Sequence, residues 1–269
     1  MTDILTKIVT TKAEEIAAAL SRLPLDDLKE MAEDRDDYRH FTRALRQTHD
    51  TGTGIIAEIK RASPSKGEIR ANLDPAAYAR KYEQGGATAI SVLTDATYFK
   101  GAADDLKAAR AAASLPVLRK DFLISDYQVY ESAVMGADAV LLIVRILTPA
   151  MLSELIDLSR TLHLDTLVEV HDEKDLETAT AAGAELIGIN NRDLKTFKTD
   201  IRVAARLVGQ LTSRQIPVAA SGIANAKDIQ QTRTAGINNF LIGESLVRAD
   251  DTVAFLKTLT NREHTPANE

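Results

Sequence analysis

The run GIIAEIKRASPSKG, residues 54–67, places a carboxylate and an ammonium group two positions apart in an apolar setting. The segment Ile55–Lys60 has the apolar and β-branched composition of a short buried strand. Because side chains alternate along a strand, Glu58 and Lys60 would share one face with Ile56. Burying two charges costs free energy unless they pair with each other or with a ligand. The motif therefore predicts either a structural ion pair or part of a site for acid–base chemistry.

Other strand-like runs also end in charged or polar side chains. Lys120 closes one run, Glu169 lies near the end of a second, and Asn190 closes a third. Phe122 would share the face of Lys120, and Arg192 lies just beyond Asn190. Acids and lysines gathered at one edge suit catalysis, because opposite charges and burial give them distinct proton affinities. The strand ends therefore favour a catalytic site over a purely structural ion pair.

Two short glycine motifs follow the last two strand-like runs, Ser221-Gly222 and Gly243-Glu244-Ser245. Glycine lets the backbone approach an anion, and the N–H groups of a following helix can point at it. Either motif alone is more typical of a plain turn. As a pair at the end of the chain, they favour a phosphate-binding site.

From Gly54 onward, strand-like runs alternate with helical stretches at a spacing of roughly 25 residues, which predicts βα units and a parallel sheet. Glycine after several of the helical stretches suits a helix C-terminus before the chain re-enters the sheet. The fold class is therefore predicted as α/β, a (β/α)8 TIM barrel rather than an open sheet. The predicted strands are Ile55–Lys60, Ala89–Thr94, Val117–Asp121, Ala139–Val144, Thr166–Val170, Leu186–Asn190, Val218–Ser221 and Phe240–Gly243.

The residues before the first strand are helical in pattern. Apolar spacing predicts helices over residues 3–20, Leu25–Ala32 and Asp36–Thr48. We therefore expect an N-terminal helical extension over 1–53 that packs on a barrel over 54–260. Residues 261–269 are polar, and we expect a frayed tail there.

The amino-acid composition argues against several classes of function. The 269 residues carry a net charge of −6 and no basic block, which argues against nucleic-acid binding but permits a small phosphorylated ligand. Cysteine is absent, so disulfides, thiolate metal sites and cysteine nucleophiles are excluded. The sequence has neither a signal peptide nor an apolar run of about 20 residues, so no membrane partner is expected and the predicted location is cytoplasmic.

The five histidines are scattered, and no His, Asp and Glu cluster has metal-ligand spacing, so we expect no metal site. His171 follows the run that carries Glu169 and could face the site. We favour a role for it at the start of a helix, beside Asp172.

Several of these motifs together resemble one enzyme family. In chain order they are AEIKRASPSKG, SVLTDATYFKGAADDL, LRKDF, DYQVYES, GADAVLLIVRIL, LVEVHDE, IGINNRDLKTF, ASGI and FLIGESLVRADD. They are similar to indole-3-glycerol phosphate synthase from Ile55 to Asp251, and a helical N-terminal extension is also a feature of that family. E-x-K-x-x-S-P is the most specific of the motifs.

The resemblance implies ring closure of 1-(2-carboxyphenylamino)-1-deoxyribulose 5-phosphate in tryptophan biosynthesis, with loss of carbon dioxide and water. It implies that Lys120 is the general acid and Glu169 the general base. Glu58 and Lys60 would serve substrate binding and dehydration, and Asn190 would orient an intermediate. Substrate contacts would come from Ser63, Pro64, Phe122, Arg192, Ser221, Gly222, Gly243 and Ser245.

The resemblance also implies that no cofactor is needed, because the chemistry is neither a redox reaction nor one that requires a carbonyl cofactor. The expected partner is the phosphorylated small molecule alone, and we expect a monomer rather than an oligomer.

One position departs from the family pattern. The family usually has Glu-Ser-Gly where this chain has Ala220-Ser221-Gly222, so a carboxylate expected near the lysines is missing. We expect a working enzyme, because the other catalytic positions are present. Two alternatives stay open. One is a different sugar-phosphate barrel enzyme, such as phosphoribosylanthranilate isomerase or a Schiff-base aldolase using Lys120 or Lys60; the other is a non-catalytic phosphate binder.

Overall fold

A computed structural model describes residues 4–193 and 199–260, without the side chains of 49–51. The predicted tail over 261–269 lies outside the described residues. Three helices precede the sheet: α1 (Ile4–Arg22), α2 (Leu25–Glu33) and α3 (Phe41–Thr51). No helix in the described part of the chain is long and apolar enough to cross a membrane.

The (β/α)8 prediction is confirmed, because parallel strands close into a barrel in the order β1-β10-β9-β8-β7-β6-β5-β4. A short antiparallel pair, β2 and β3, lies outside the barrel in the loop after β1. The strands are β1 (Gly54–Ile59), β2 (Ala62–Ser63), β3 (Gly67–Glu68), β4 (Ala89–Leu93), β5 (Val117–Lys120), β6 (Ala139–Ile143), β7 (Asp165–Val170), β8 (Leu186–Asn190), β9 (Ile216–Ala220) and β10 (Asn239–Ile242).

Helices connect the strands and surround the barrel. Four glycines that follow helices, at 86, 136, 183 and 236, have φ between 80° and 93°, as the predicted left-handed C-caps require. The helices are α4 (Pro75–Gln84), α5 (Ala96–Phe99), α6 (Ala103–Ala112), α7 (Asp126–Met135), α8 (Pro149–Thr161), α9 (Glu173–Ala181), α10 (Arg202–Val208), α11 (Ala226–Arg233), α12 (Glu244–Arg248) and α13 (Thr252–Thr260), with a 3₁₀ turn at Val144–Ile146.

Alternation along the strands divides the apolar residues between two cores. Ile55, Ala57 and Ile59 belong to the core between the sheet and the helices. Ile56 belongs to the second core, inside the barrel, with one or more residues of each other barrel strand. The two faces predicted for the first strand are therefore correct.

Helix α3 closes the amino-terminal end of the barrel. Phe41 and Leu45 are fully buried members of the interior core. The backbone N–H of Thr42 donates to Asp165 Oδ2 at 2.8 Å, which fixes the start of the helix against β7. This end of the barrel is sealed by apolar packing with polar contacts at its rim.

The segment Asp36–His40 is not helical, so the predicted third helix began too early. Its polar groups bind the barrel instead. The backbone N–H of Arg39 donates to Asp138 Oδ1 at 2.9 Å, and Asp37 pairs with Arg110 at 3.0 Å. These long-range contacts outweigh the helical pattern of the sequence.

Helix α1 lies at the opposite, carboxyl-terminal end. Its Lys12 is buried, and Nζ lies 2.8 Å from Asp95 Oδ2 and 3.0 Å from Asp121 Oδ1. Burial lowers the pKa of Lys12, but Asp121, Asp95 and Glu15 outweigh it and raise that pKa above its ordinary value. Ion pairs therefore bind α1 to the loops that follow β4 and β5.

Candidate active site

A cavity of about 760 Å³ opens at the carboxyl-terminal end of the barrel strands. This is the end at which (β/α)8 enzymes place their chemistry. All the site residues predicted from the sequence line it: Glu58, Lys60, Ser63, Pro64, Lys120, Phe122, Glu169, Asn190, Arg192, Ser221, Gly222, Gly243 and Ser245. The fold thus brings together side chains that are far apart in the chain.

Glu58 and Lys60 form an ion pair at the end of β1, with Nζ 2.5 Å from Oε1. Burial raises the pKa of Glu58, but Lys60, Lys120 and Arg192 together outweigh it, so the pKa lies below its ordinary value. Glu58 is therefore an ionised carboxylate at neutral pH. It can accept a proton only from a group that the cavity makes strongly acidic, or when Lys60 moves.

Lys120 ends β5 and points into the cavity, while its neighbours Arg119 and Asp121 face the other way. Arg119 NH2 lies 3.3 Å from Asp121 Oδ2, behind the strand. Within the described ranges, Lys120 forms no ion pair within 4 Å, in contrast to Lys60. Its ammonium group is available to a substrate.

Glu169 and Asn190 are joined across β7 and β8. Asn190 Nδ2 donates to Glu169 Oε1 at 3.1 Å, and Asn190 Oδ1 accepts from the backbone N–H of Arg192 at 3.0 Å. The second contact fixes which end of the amide faces the carboxylate. Arg192 NH1 donates to Ser65 Oγ at 2.9 Å, so it also ties the loop after β1 to the loop after β8.

The loops after β9 and β10 bring backbone and small polar side chains to the cavity. Ser221 and Gly222 have φ of 66° and 82°, two left-handed residues in succession. A Cβ at Gly243 would lie 2.4 Å from Glu58 Oε1, so a larger residue there would displace the Glu58 carboxylate. Ser245 Oγ and Arg192 Nε are buried without a hydrogen-bond partner in the described part of the chain. These orphaned polar atoms line the cavity and can bind a ligand.

The cavity also contains residues outside the predicted set of site residues. Ile4, Leu5 and Ile8 of α1 form part of its apolar wall. Phe99 lies beside Phe122, with 6.0 Å between ring centroids, and gives the wall an aromatic surface. The sequence shows the helical spacing of these α1 residues, but it does not show which surface of the protein they pack against.

Charge in the cavity is opposite to that of the whole chain. Five cationic side chains face three carboxylates among the described lining residues, whereas the chain carries −6. Local positive charge attracts an anionic ligand. The residues concerned are Lys60, Lys66, Lys120, Arg192 and Arg248, with Glu58, Glu169 and Glu244.

His171 directly precedes the N-cap of α9, as predicted, and its backbone N–H donates to Asp175 of the first helical turn. Asp172 caps α9, as expected of a residue at a helix start, and the His171 side chain is buried between Glu169 and Asp175.

No group of three or more His, Cys, Asp or Glu residues suited to a metal ion occurs in the described ranges 4–193 and 199–260.

The fold defines a (β/α)8 barrel, and its cavity gathers acidic and basic side chains with orphaned polar atoms at the carboxyl-terminal end of the strands. A solved structure of thiamine phosphate pyrophosphorylase from Pyrococcus furiosus shares the fold, with a TM-score of 0.59 at 16% identity over 78% of this chain and 95% of that one. At that identity, the likeness concerns the fold alone.

Sequence comparison is more specific. The family model described as indole-3-glycerol phosphate synthase matches residues 5–259. A protein of that name from Desulfosudis oleivorans is 70% identical over 260 residues, covering 96% of this chain and 99% of its own length. Another, from Syntrophobacter fumaroxidans, is 49% identical over 259 residues, 96% of this chain and 98% of its own.

The chain belongs to the indole-3-glycerol phosphate synthase family. It is a lyase of the carboxy-lyase class, and the family prediction from the sequence motifs is confirmed.

Proposed function

We propose that this chain converts 1-(2-carboxyphenylamino)-1-deoxyribulose 5-phosphate to indole-3-glycerol phosphate, with loss of carbon dioxide and water. One observation carries the proposal. Lys120, Glu169 and the Glu58–Lys60 pair line one cavity together with the left-handed turn at Ser221-Gly222. That arrangement suits a substrate with a phosphate at one end and an aromatic acid at the other.

Substrate orientation follows from the two sides of the cavity. The phosphate would bind Ser63, Ser221, Gly222, Gly243 and Ser245, and the Ser245 hydroxyl is an unpaired donor there. The carboxyphenyl ring would lie against Phe122 and Pro64, with Phe99 extending the same wall. Apolar contact with the ring excludes water from the carbon atoms that react.

Ring closure needs an acid at the ketone oxygen. As the aromatic carbon that bears the carboxylate attacks the ketone carbon, Lys120 gives a proton to the oxygen, which becomes a hydroxyl group. Glu169 stabilises the positive charge that develops on the ring nitrogen and serves as the base. Loss of carbon dioxide then restores the aromatic ring.

Dehydration completes the reaction, because the new hydroxyl group must leave as water. Lys60 would protonate the departing hydroxyl group, and Glu58, its partner at 2.5 Å, would take up a proton as the double bond forms. Asn190 and Arg192 would hold the hydroxyl and carboxylate groups of the intermediate. Burial of the pair keeps the proton transfers away from bulk water.

The other parts of the proposal concern the whole chain. We expect residues 1–53 and 54–260 to act as one unit, since α1 forms part of the cavity wall. We also expect a monomer in the cytoplasm. Light scattering on the purified chain would test the monomer, and a dimer mass would contradict it.

The direct test is to mix the purified chain with the carboxyphenylamino substrate and follow indole fluorescence. We expect fluorescence to rise with stoichiometric release of carbon dioxide. Saturable substrate binding without product would favour the phosphate binder. Trapping of a lysine–substrate imine by borohydride would favour the aldolase.

A further inference from the structure

His171 lies beside Glu169, two residues further along the chain, and the proposed reaction gives it no role. Its side chain is buried, with Nε2 3.5 Å from Glu169 Oε1 and Nδ1 3.6 Å from Asp175 Oδ2. Neither ring nitrogen has a hydrogen-bond partner within normal distance in the described part of the chain. A buried imidazole with both nitrogens unsatisfied is costly unless the contacts tighten in a working state.

Asp175 is fixed on the far side of the ring. It accepts from Arg145 Nε at 2.8 Å and from the backbone N–H of His171 at 3.0 Å. Burial raises the pKa of Asp175, but the contacts with His171 and Arg145 outweigh it and lower that pKa. Arg145 also pairs with Asp172, the N-cap of α9. Asp175 is therefore an ionised acceptor with little freedom to move.

An ionised Asp175 determines the orientation of the imidazole. A carboxylate only accepts, so Nδ1 must carry the proton on that side. Nε2 then faces Glu169, and a hydrogen bond between them would satisfy both groups. Contacts of about 3.5 Å are long for a hydrogen bond, but catalytic contacts of ligand-free enzymes commonly tighten in the substrate complex.

We propose that His171 is a positioning residue for Glu169. It is held by Asp175, which Arg145 binds in turn. His171 contacts Glu169 Oε1, the oxygen that also accepts from Asn190, and so keeps the carboxylate turned toward the substrate. The inference rests on the proposed role of Glu169 as the base. It adds that the contacts from Arg145 through Asp175 and His171 hold the Glu169 carboxylate in one orientation.

Kinetics separate positioning from a merely structural role. In His171→Leu, the ring volume is kept but the donor is lost, and we expect kcat to fall about 10- to 100-fold with KM within about threefold. In His171→Gln, the amide can still reach Glu169, and we expect kcat within about fivefold of the wild type. Glu173→Gln removes an exposed carboxylate of α9, the helix that carries Asp175, and serves as the matched control, with unchanged kcat.

Unchanged kcat in His171→Leu would overturn the inference. Equal losses in the Leu and Gln variants, together with a lowered melting temperature in both, would also overturn it, since they would indicate packing alone.

A second measurement needs no turnover, so it separates this inference from the proposed function. The chain has five histidines, and in ¹⁵N-histidine-labelled protein the resonances lost in His171→Gln identify His171. We expect Glu169→Gln to shift the Nε2 resonance of His171 and Asp175→Asn to shift Nδ1. Resonances that do not move would overturn the contacts, whether or not the wild type forms product. A wild type that shows both shifts but forms no indole product would overturn only the proposed function.

Discussion

The two ends of the barrel are built differently: apolar side chains fill one end, and the other end opens into a cavity. At the amino-terminal end, α3 inserts Phe41 and Leu45 into the interior core and leaves them no solvent exposure. At the carboxyl-terminal end, the same interior opens into a cavity lined by charged residues and by orphaned polar atoms such as Ser245 Oγ. One end is filled by apolar side chains, while the other leaves polar groups facing an open cavity.

This difference between the two ends bears on the stability of the fold and on ligand binding. Unpaired buried groups and closely spaced charges cost folding free energy, and the packed end offsets that cost. Helix α1 belongs to the charged end through Lys12 and to the cavity through its apolar residues. The N-terminal helices thus contribute to both ends of the barrel, α3 to the packed end and α1 to the cavity. Substitutions at each end can separate their effects on stability and on activity.

Removing the ammonium group of Lys120 should affect activity most. Lys120→Met would abolish the acid of ring closure, and we expect kcat to fall about 10²- to 10⁴-fold. Thermal unfolding should stay nearly unchanged, because Lys120 forms no ion pair with the described residues. Lys174→Met, an exposed lysine on α9, is the control. Near-normal turnover in Lys120→Met would remove Lys120 from the mechanism.

At the packed end, the expected effect is on stability. Phe41→Ala leaves a cavity inside the barrel and should lower the free energy of unfolding by about 3–5 kcal/mol, measured by urea titration. Below the unfolding transition, kcat should be close to that of the wild type. Leu20→Ala, at a side chain that is 40% exposed, should change stability by less than about 0.5 kcal/mol. A large loss of kcat in folded Phe41→Ala would show that the two ends are coupled.

Lys12→Met should affect both properties. It leaves Asp95 buried without its cation and Asp121 with Arg119 alone, and we expect a loss of about 3 kcal/mol in unfolding free energy and a lower kcat. The Lys12 pKa is raised, so its contribution is complete below the unfolded value of 10.5 and is lost as pH rises through the folded pKa.

The Asp121 pKa is lowered, with burial opposed by Arg119 and Lys12, so its contribution is complete above 3.8 and is lost as pH falls through the folded pKa. The stability difference between wild type and Lys12→Met should therefore be constant between about pH 5 and pH 10 and shrink below about pH 4. A difference that stays constant into acid would contradict the role of Asp121.

Ala220→Glu should have the smallest effect. Ala220 lies in register between Asn190 of β8 and Leu241 of β10 and lines the cavity. A carboxylate there could pair with a lysine of the cavity, so we expect kcat to be unchanged or raised, by no more than about tenfold. Ala220→Gln, of similar size without the charge, is the control. A large drop with Glu but not with Gln would mean that this cavity has been rebuilt around the alanine.

Much of the fold follows from the sequence because its pattern is local. The alternation in Ile55–Ile59 was sufficient to assign both faces of β1, and the convergence of Lys120 and Glu169 follows from parallel strands in a closed barrel. The family motifs pointed to the same cavity.

Other features depend on contacts that the sequence does not display. The extended backbone of Asp36–His40 depends on Asp138 and Arg110, and the docking of α1 depends on Asp95 and Asp121. The setting of His171 depends on Arg145, which comes from a different βα unit. In each case a charged group finds its partner only after the barrel has closed.

The docking of α1 also has a consequence for synthesis on the ribosome. Chains emerge from the amino terminus, so Lys12 leaves the ribosome well before Asp95 and Asp121, to which it binds. Until the β4 and β5 loops have been translated, Glu15 of the same helix is the one of its three carboxylate partners that Lys12 can reach. A nascent chain therefore carries α1 undocked until those loops emerge, and the wall of the cavity is completed by a segment made before the strands that it covers.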